Sequence, residues 1–246
     1  MTELAIFGAL TGFISGFFGV GGGMVLVPML LYSGFVMKEA VAISIMQMVF
    51  SSIYGSFLNY KKNKSLLKDG LIIGFGGFIG GFTNSFVHSL VSNQFLEILF
   101  IVIVIFSIYR ITFSSPHGDE SKKFHNIPLL FIIGFIIGMI AMSIGVGGAV
   151  MLTPILLGYL YYNIKDASSL GLFFVIFSSI AGFLSLSFAG EMLYHEGAVV
   201  GLASLIGVYF GIKLKNIVNI QNFKYYILGL NITILAVMVY KYFFGI

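Results

Sequence analysis

Two glycine clusters are the segments of this sequence best suited to binding a ligand. They read Gly19-Val20-Gly21-Gly22-Gly23 and Gly145-Val146-Gly147-Gly148, and a proline, Pro28 or Pro154, follows each one. Each glycine costs roughly 1 kcal/mol in a helix relative to alanine, and proline removes a backbone donor, so a helix break is predicted at both clusters. A break exposes backbone N–H groups, and the next helix carries partial positive charge at its N-terminus. Each cluster can therefore bind an oxyanion without a basic side chain.

Polar side chains near the clusters in sequence register extend the candidate site. Gln47 is the most unusual, because it lies about seven residues inside an apolar run, where an amide is rare. In the alternative interpretation, the glycines only allow close helix packing and the serines only bond a neighbouring carbonyl. The doubling of the glycine and proline unit favours a function. The predicted substrate-binding residues are Gly19, Gly21, Gly22, Ser44, Gln47, Ser51, Ser143, Gly145, Gly147, Gly148 and Thr153.

The composition determines the class of protein. Hydrophobic residues make up 59% of the chain and charged residues only 9%, with a mean hydropathy of +1.05, too few charges to cover a water-soluble surface. Continuously apolar runs of about 20 residues indicate membrane-spanning helices rather than barrel strands. We therefore predict an all-α integral membrane protein whose surroundings are the lipid bilayer. The runs are 40–59, 71–91, 95–113, 171–189, 198–214 and 225–244.

An internal repeat organises the whole chain. The segment 12–31 recurs as 138–157 at an offset of 126, and the register continues at 127, where Phe50-Ser51-Ser52-Ile53 matches Phe177-Ser178-Ser179-Ile180. We predict two membrane repeats, 1–113 and 127–246, within one membrane domain, joined by a polar cytoplasmic linker at 114–126. Each repeat contains a glycine-broken helical hairpin followed by three transmembrane helices.

The basic residues predict the topology. If each broken segment is a hairpin that returns to its starting side, eleven of the thirteen Lys and Arg residues lie on one side, which is then cytoplasmic. If each broken segment crosses the membrane once, eight of the thirteen Lys and Arg residues lie on the cytoplasmic side and five lie outside. The hairpin topology is favoured, and it places both termini outside and makes the repeats inverted, as in secondary transporters. The formal charge of +4 then lies in short loops between the spans, where it orients the protein in the membrane. No nucleic-acid partner is expected from it.

Other kinds of chemistry find little support in the sequence. It contains no cysteine, four histidines without ligand spacing and no Walker-type loop, so we expect no metal, no cofactor and no enzyme activity. The energy source is then an ion gradient, with a proton or a sodium ion as coupling partner, or the gradient of the substrate itself. A passive anion channel is the alternative. Asn84, His88 and Glu97 lie toward the outer ends of their spans, which favours a solvated role, and the alternative is that Glu97 or His88 carries a coupling proton.

The glycine motifs also resemble those of a known family. The stretch from Gly12 to Gly23 with Pro28-Met29-Leu30, and the second copy from Gly145 to Leu156, resemble the paired signatures of the sulfite exporter TauE/SafE family over essentially the full chain. The resemblance implies a multi-pass inner-membrane permease for sulfite or organosulfur anions such as sulfonates. A homodimer is a candidate assembly. Ala42-Ile43-Ser44 stands where family members often carry Gly-Thr-Ser, so transport of a different small anion stays open.

Overall fold

A computed structural model describes residues 1–60, 67–115, 117 and 126–244. All the regular secondary structure within these ranges is helical, which confirms the predicted all-α class. Nine of the thirteen residues of the predicted linker lie outside the described residues. The helices are α1 (Thr2–Phe18), α2 (Gly23–Tyr32), α3 (Met37–Tyr60), α4 (Leu67–Phe82), α5 (Asn84–Leu90), α6 (Asn93–Phe113), α7 (Ile127–Ser143), α8 (Ala149–Gly158), α9 (Ile164–Ala189), α10 (Tyr194–Ile217) and α11 (Ile220–Phe244).

Six stretches are long and apolar enough to cross a membrane, and they correspond to the six runs predicted from hydropathy. Large apolar side chains cover the outside of the helix bundle; Phe57 is 64% exposed and Phe188 is 79% exposed. Such a surface is suited to lipid and unsuited to water. The protein is thus a multi-pass membrane protein. The six stretches are Met37–Leu58, Lys68–Leu90, Asn93–Phe113, Ile164–Ala189, Tyr194–Ile217 and Gln221–Phe244.

Both predicted helix breaks are present. α1 ends at Phe18 and α2 begins at Gly23, while α7 ends at Ser143 and α8 begins at Ala149. α2 and α8 have 10 residues each, or ~15 Å of helix, about half of a ~30 Å hydrocarbon core, so neither can cross it.

The first broken segment folds back on itself. The Ser33 hydroxyl, at the end of α2, donates a hydrogen bond of 3.1 Å to the carboxylate of Glu3, in the first turn of α1. The end of α2 therefore lies beside the start of α1, as a hairpin requires. The inverted orientation of the two repeats, and the placement of both termini outside, stay predictions.

The two predicted repeats pack against each other. α1 of the first repeat packs against α10 of the second, and α7 of the second packs against α4 of the first. A methyl group on Gly12 would overlap the Ser204 carbonyl oxygen, and one on Gly138 would lie 2.5 Å from that of Gly77. The backbones of these helices are therefore in direct contact, as is common where small residues line membrane helix interfaces. α3 and α9 pack against each other, α2 against α3, and α8 against α9, so both helix breaks lie in the centre.

Candidate anion-binding site

The two glycine loops meet in the interior of the protein. A methyl group on Gly147 would lie 3.1 Å from the Val20 carbonyl oxygen and 3.5 Å from Gly21 Cα. One on Gly23 would overlap the Gly145 carbonyl oxygen. Segments separated by more than 120 residues in the sequence are thus in backbone contact.

The backbone of both loops turns through the left-handed region. Gly21 has a φ of 82° and Gly147 a φ of 65°, values that residues with a Cβ rarely adopt. The turns lead into α2 and α8, whose N-caps are Gly22 and Gly148, neither of which provides a side-chain capping bond. The N-terminal N–H groups of two half-helices are consequently free of side-chain caps where the loops meet.

Gln47 is the polar side chain at the start of α2. It is fully buried, and neither its amide nitrogen nor its amide oxygen has a hydrogen-bond partner. A methyl group on Gly22 would lie 2.7 Å from both of these atoms, so the amide lies directly against the N-cap of α2. A buried amide without partners is costly and calls for a ligand or a water molecule. Gln47 can offer donors to an anion at this position.

The hydroxyl groups of Ser44 and Ser51 form hydrogen bonds to the two glycine loops. The Ser44 hydroxyl donates a bond of 2.7 Å to the Gly145 carbonyl oxygen, and the Ser51 hydroxyl donates a longer one of 3.4 Å to that of Gly21. The single proton of Ser44 is therefore used to hold the second loop. In this conformation Ser44 holds the second loop, while the amide of Gln47 has no partner.

Thr153 and Ser143 differ in their surroundings. Thr153 lies one turn inside α8, is buried, and has no partner for its hydroxyl. The Ser143 hydroxyl donates a bond of 2.8 Å to the Met139 carbonyl oxygen of its own helix, as a serine with a structural role does. Thr153 thus keeps a free hydroxyl beside the second break.

Two buried titratable residues lie beside the breaks: the sequence interpretation missed Lys215 and expected His88 to be solvated. The Nε2 atom of His88 is 3.0 Å from the Ser143 carbonyl oxygen at the end of α7. The ammonium group of Lys215 donates a bond of 3.0 Å to the Ser168 hydroxyl, which itself donates to the Phe18 carbonyl oxygen at the end of α1. Helix C-termini carry partial negative charge and stabilise cations. The two residues are 127 positions apart, the repeat offset, which was the signal available in the sequence.

The expectation that Asn84, His88 and Glu97 are solvated is wrong. They are 0%, 1% and 8% exposed, because neighbouring helices cover them. Glu97 accepts a bond of 2.7 Å from the ammonium group of Lys241, and His88 Nδ1 lies 3.7 Å from a carboxylate oxygen of Glu191. Hydropathy placed these residues near span ends but gave no information on which helices cover them.

Comparisons with known proteins agree on the family. The family model described as Sulfite exporter TauE/SafE matches residues 4–238. The "Probable membrane transporter protein YunE" of Bacillus subtilis (strain 168) is 24% identical over 243 residues, covering 88% of this chain and 87% of that protein. The "Probable membrane transporter protein MJ0441" of Methanocaldococcus jannaschii is 27% identical over 225 residues, covering 86% and 83%. No solved structure matches the chain.

Proposed function

The chain belongs to the sulfite exporter TauE/SafE family and is a membrane transporter, and we propose that it is a secondary transporter of small sulfur-containing anions, such as sulfite or sulfonates, across the inner membrane. The observation that carries the proposal is the meeting of two glycine loops beside the unpartnered amide of Gln47. This arrangement supplies hydrogen-bond donors and two positive helix ends at one buried point.

The donors favour an anion with a single charge. A helix N-terminus stabilises an anion by ~0.3 to 1 kcal/mol at exposed sites and up to ~2 kcal/mol when it is partly buried. Dehydrating a dianion costs far more than two such termini and a neutral amide return. Bisulfite or a monosulfonate should therefore bind, whereas sulfate should bind weakly.

The closed centre supports a carrier more than a passive channel. The glycine loops are in backbone contact, and Val20 and Val146 within them are buried, so the two loops would have to part for an anion to pass. Two repeats packed around a central site are typical of alternating access, in which one bundle moves against the other. A channel needs a continuous path.

A flux screen in proteoliposomes tests the proposal. The purified full chain would be assayed for uptake of sulfite, a monosulfonate, thiosulfate, sulfate and a carboxylate. We expect saturable uptake of the singly charged sulfur anions, and faster uptake when the same anion is present inside the vesicles. Uptake of none of the sulfur anions would overturn the substrate class. Uptake without saturation or stimulation by internal anion would indicate a channel.

A further inference from the structure

A second polar site lies beside the glycine loops, in a small cavity between α6, α8 and α11. The volume of this cavity in which the centre of a water molecule can lie is about 10 Å³. This is room for roughly one water molecule or one small ion. Three polar residues line the cavity, one from each helix: Ser107, Thr153 and Asn231. The other lining residues are apolar: Val20, Ile111, Ala149, Val150 and Ile227.

The three polar residues present unpartnered oxygen atoms. Ser107, Thr153 and Asn231 are each 3% exposed or less, and Ser107 Oγ, Thr153 Oγ1 and Asn231 Oδ1 have no hydrogen-bond partner. The Asn231 Nδ2 group donates a bond of 2.7 Å to the Ile227 carbonyl oxygen of its own helix. This bond assigns the amide orientation and leaves Oδ1 as an unused acceptor. Three unused oxygens from three helices around one cavity are costly unless something occupies it.

The backbone of α8 beside the cavity lacks one helical hydrogen bond. Pro154 lies inside this helix and has no N–H group, so the Val150 carbonyl cannot receive its usual helical bond from residue 154. Val150 lines the cavity, and the nearby hydroxyl of Thr153 forms no hydrogen bond with it. The proline of the second glycine unit therefore removes the helical donor to the carbonyl of a residue that lines the cavity.

The size and donor set of the cavity identify the class of occupant. The space is too small for a sulfonate or sulfite ion, and Asn231 Oδ1 can only accept, so it would repel an anion. Hydroxyl, amide and carbonyl oxygens are ligands of hard cations. A divalent ion would lack compensating charge, because none of the lining residues is a carboxylate. We propose that this cavity binds a Na⁺ ion that is transported together with the anion.

The position of the cavity explains why cation and anion would bind together. Val20 and Ala149, at the two glycine breaks, form part of its wall, so the cation would lie next to the anion of the proposed transport function, on which this inference rests. The N-terminus of α8 disfavours a cation bound alone, and an anion at the loops offsets that partial positive charge. Each ion should then raise the affinity for the other by the same factor.

Only one such site is expected. The positions equivalent to Thr153, Asn231 and Ser107 by the repeat offsets are Val27, Val104 and Ile234, and all three are buried apolar residues. The first repeat therefore supplies no matching oxygen cluster around α2, and the predicted stoichiometry is one Na⁺ per chain.

Na⁺ dependence of uptake and of stability tests the inference. Uptake of an anion accepted in the flux screen would be measured in Na⁺, K⁺ and choline, and the melting temperature of the purified full chain would be followed against Na⁺ concentration. We expect saturable stimulation and stabilisation by Na⁺ alone. Ser107→Ala, Thr153→Val and Asn231→Leu should each raise the Na⁺ concentration for half-maximal effect by about tenfold or more, or ~1.4 kcal/mol.

Thr233→Ala is the matched control, because this hydroxyl is exposed on α11 and bonds to Gly229 of its own helix. It should keep the parental response. Ser107→Ala removes one oxygen atom and is the variant to use if Asn231→Leu does not fold. Equal uptake and equal melting temperatures in Na⁺, K⁺ and choline would overturn the inference and leave water as the occupant. Failure of the transport proposal is distinguishable, because the chain would then take up no anion while the melting temperature still reports on Na⁺.

Discussion

Both glycine breaks turn through the left-handed region of backbone conformation, but different side chains lie against them. Gly22 of the first break is covered by the amide of Gln47, whereas a methyl group on Gly148 of the second would overlap the ring of Phe174. Gln47 and Phe174 occupy the same repeat position, 127 residues apart. Duplication has therefore preserved the turn and changed its chemistry. The start of α2 is the polar end of the proposed anion site, and the start of α8 is its apolar wall.

Beside the two short helices the polarity is reversed: polar residues lie next to α8, and apolar residues take the equivalent positions of the other repeat. α8 shares a cavity with Ser107 and Asn231, whereas the residues at the equivalent repeat positions, Val104 and Ile234, are buried and apolar. The unpartnered amide thus lies against the first break, and the unpartnered oxygen atoms lie beside the second. A transporter that moves two ions of opposite charge can use such a division, with the anion nearer one break and the cation beside the other.

Substitution of a loop glycine, the feature that both breaks share, should have the largest effect on transport. Leucine at Gly21 or Gly147 must adopt a left-handed backbone at a cost of roughly 1–2 kcal/mol, and at Gly147 the side chain would also overlap Met48. We expect both variants to insert into the membrane and to lose transport by more than about 100-fold, some 2.8 kcal/mol. Expression and anion flux would be measured together. Gly229→Leu, where nothing lies within 4 Å of the new Cβ, is the control. Parental flux in both loop variants would show that the loops only pack.

Replacing Gln47 and Phe174, the side chains that differ between the two breaks, should have unequal effects on anion binding. Gln47→Leu removes the side-chain amide that lies against the start of α2, and we expect the anion dissociation constant to rise by about tenfold, ~1.4 kcal/mol. Phe174→Leu should change it by less than about threefold, because the ring offers no donor to the anion. Binding of a monosulfonate to the purified protein would provide the measurement. Equal effects of the two substitutions would argue against a polar and an apolar end.

The charge of the anion provides a test that needs no substitution. Weak donors at the two helix starts should select a monosulfonate over sulfate by about tenfold or more. For sulfite, the apparent affinity should fall as pH rises, since bisulfite loses its proton and becomes a dianion. A monosulfonate, which keeps one charge over that range, is the control for pH effects on the protein. Equal affinity for sulfate and the monosulfonate would place the anion elsewhere.

The smallest effect is expected at the buried residues behind the breaks. Lys215→Met removes the bonds to Ser168 and Ser169 that tie α10 to α9 near the end of α1. We expect the transport rate to fall by roughly threefold to tenfold, 0.6–1.4 kcal/mol, with little change in anion affinity, because Lys215 is separated from the loops by Ser168. Lys215→Arg should recover part of the rate. Lys213→Met, at an exposed position on the same helix, is the control. An equal loss of transport rate in that variant would show that the effect is not specific to the buried position of Lys215.

The sequence by itself determined the features that depend on local energetics. Runs of apolar residues specify the spans because the hydrocarbon core is fixed in thickness, and glycine clusters followed by Pro28 and Pro154 specify the breaks because backbone strain is a property of neighbouring residues. The repeat offset predicted that the second break would resemble the first. These features, and the family they resemble, are the ones that the structure and the comparisons confirm.

Only the tertiary structure decided which side chains reach the breaks. Gln47 lies against Gly22 and Phe174 against Gly148, Lys215 is buried beside the end of α1, and Ser107, Thr153 and Asn231 surround one cavity although they are distant in the chain. Hydropathy treats each helix separately, so it predicted solvated span ends at Asn84 and His88, where the fold buries them. The physical reason is that burial and partnership depend on which helices pack together. In this chain the close backbone contacts of α1 with α10 and of α4 with α7 join residues of opposite repeats.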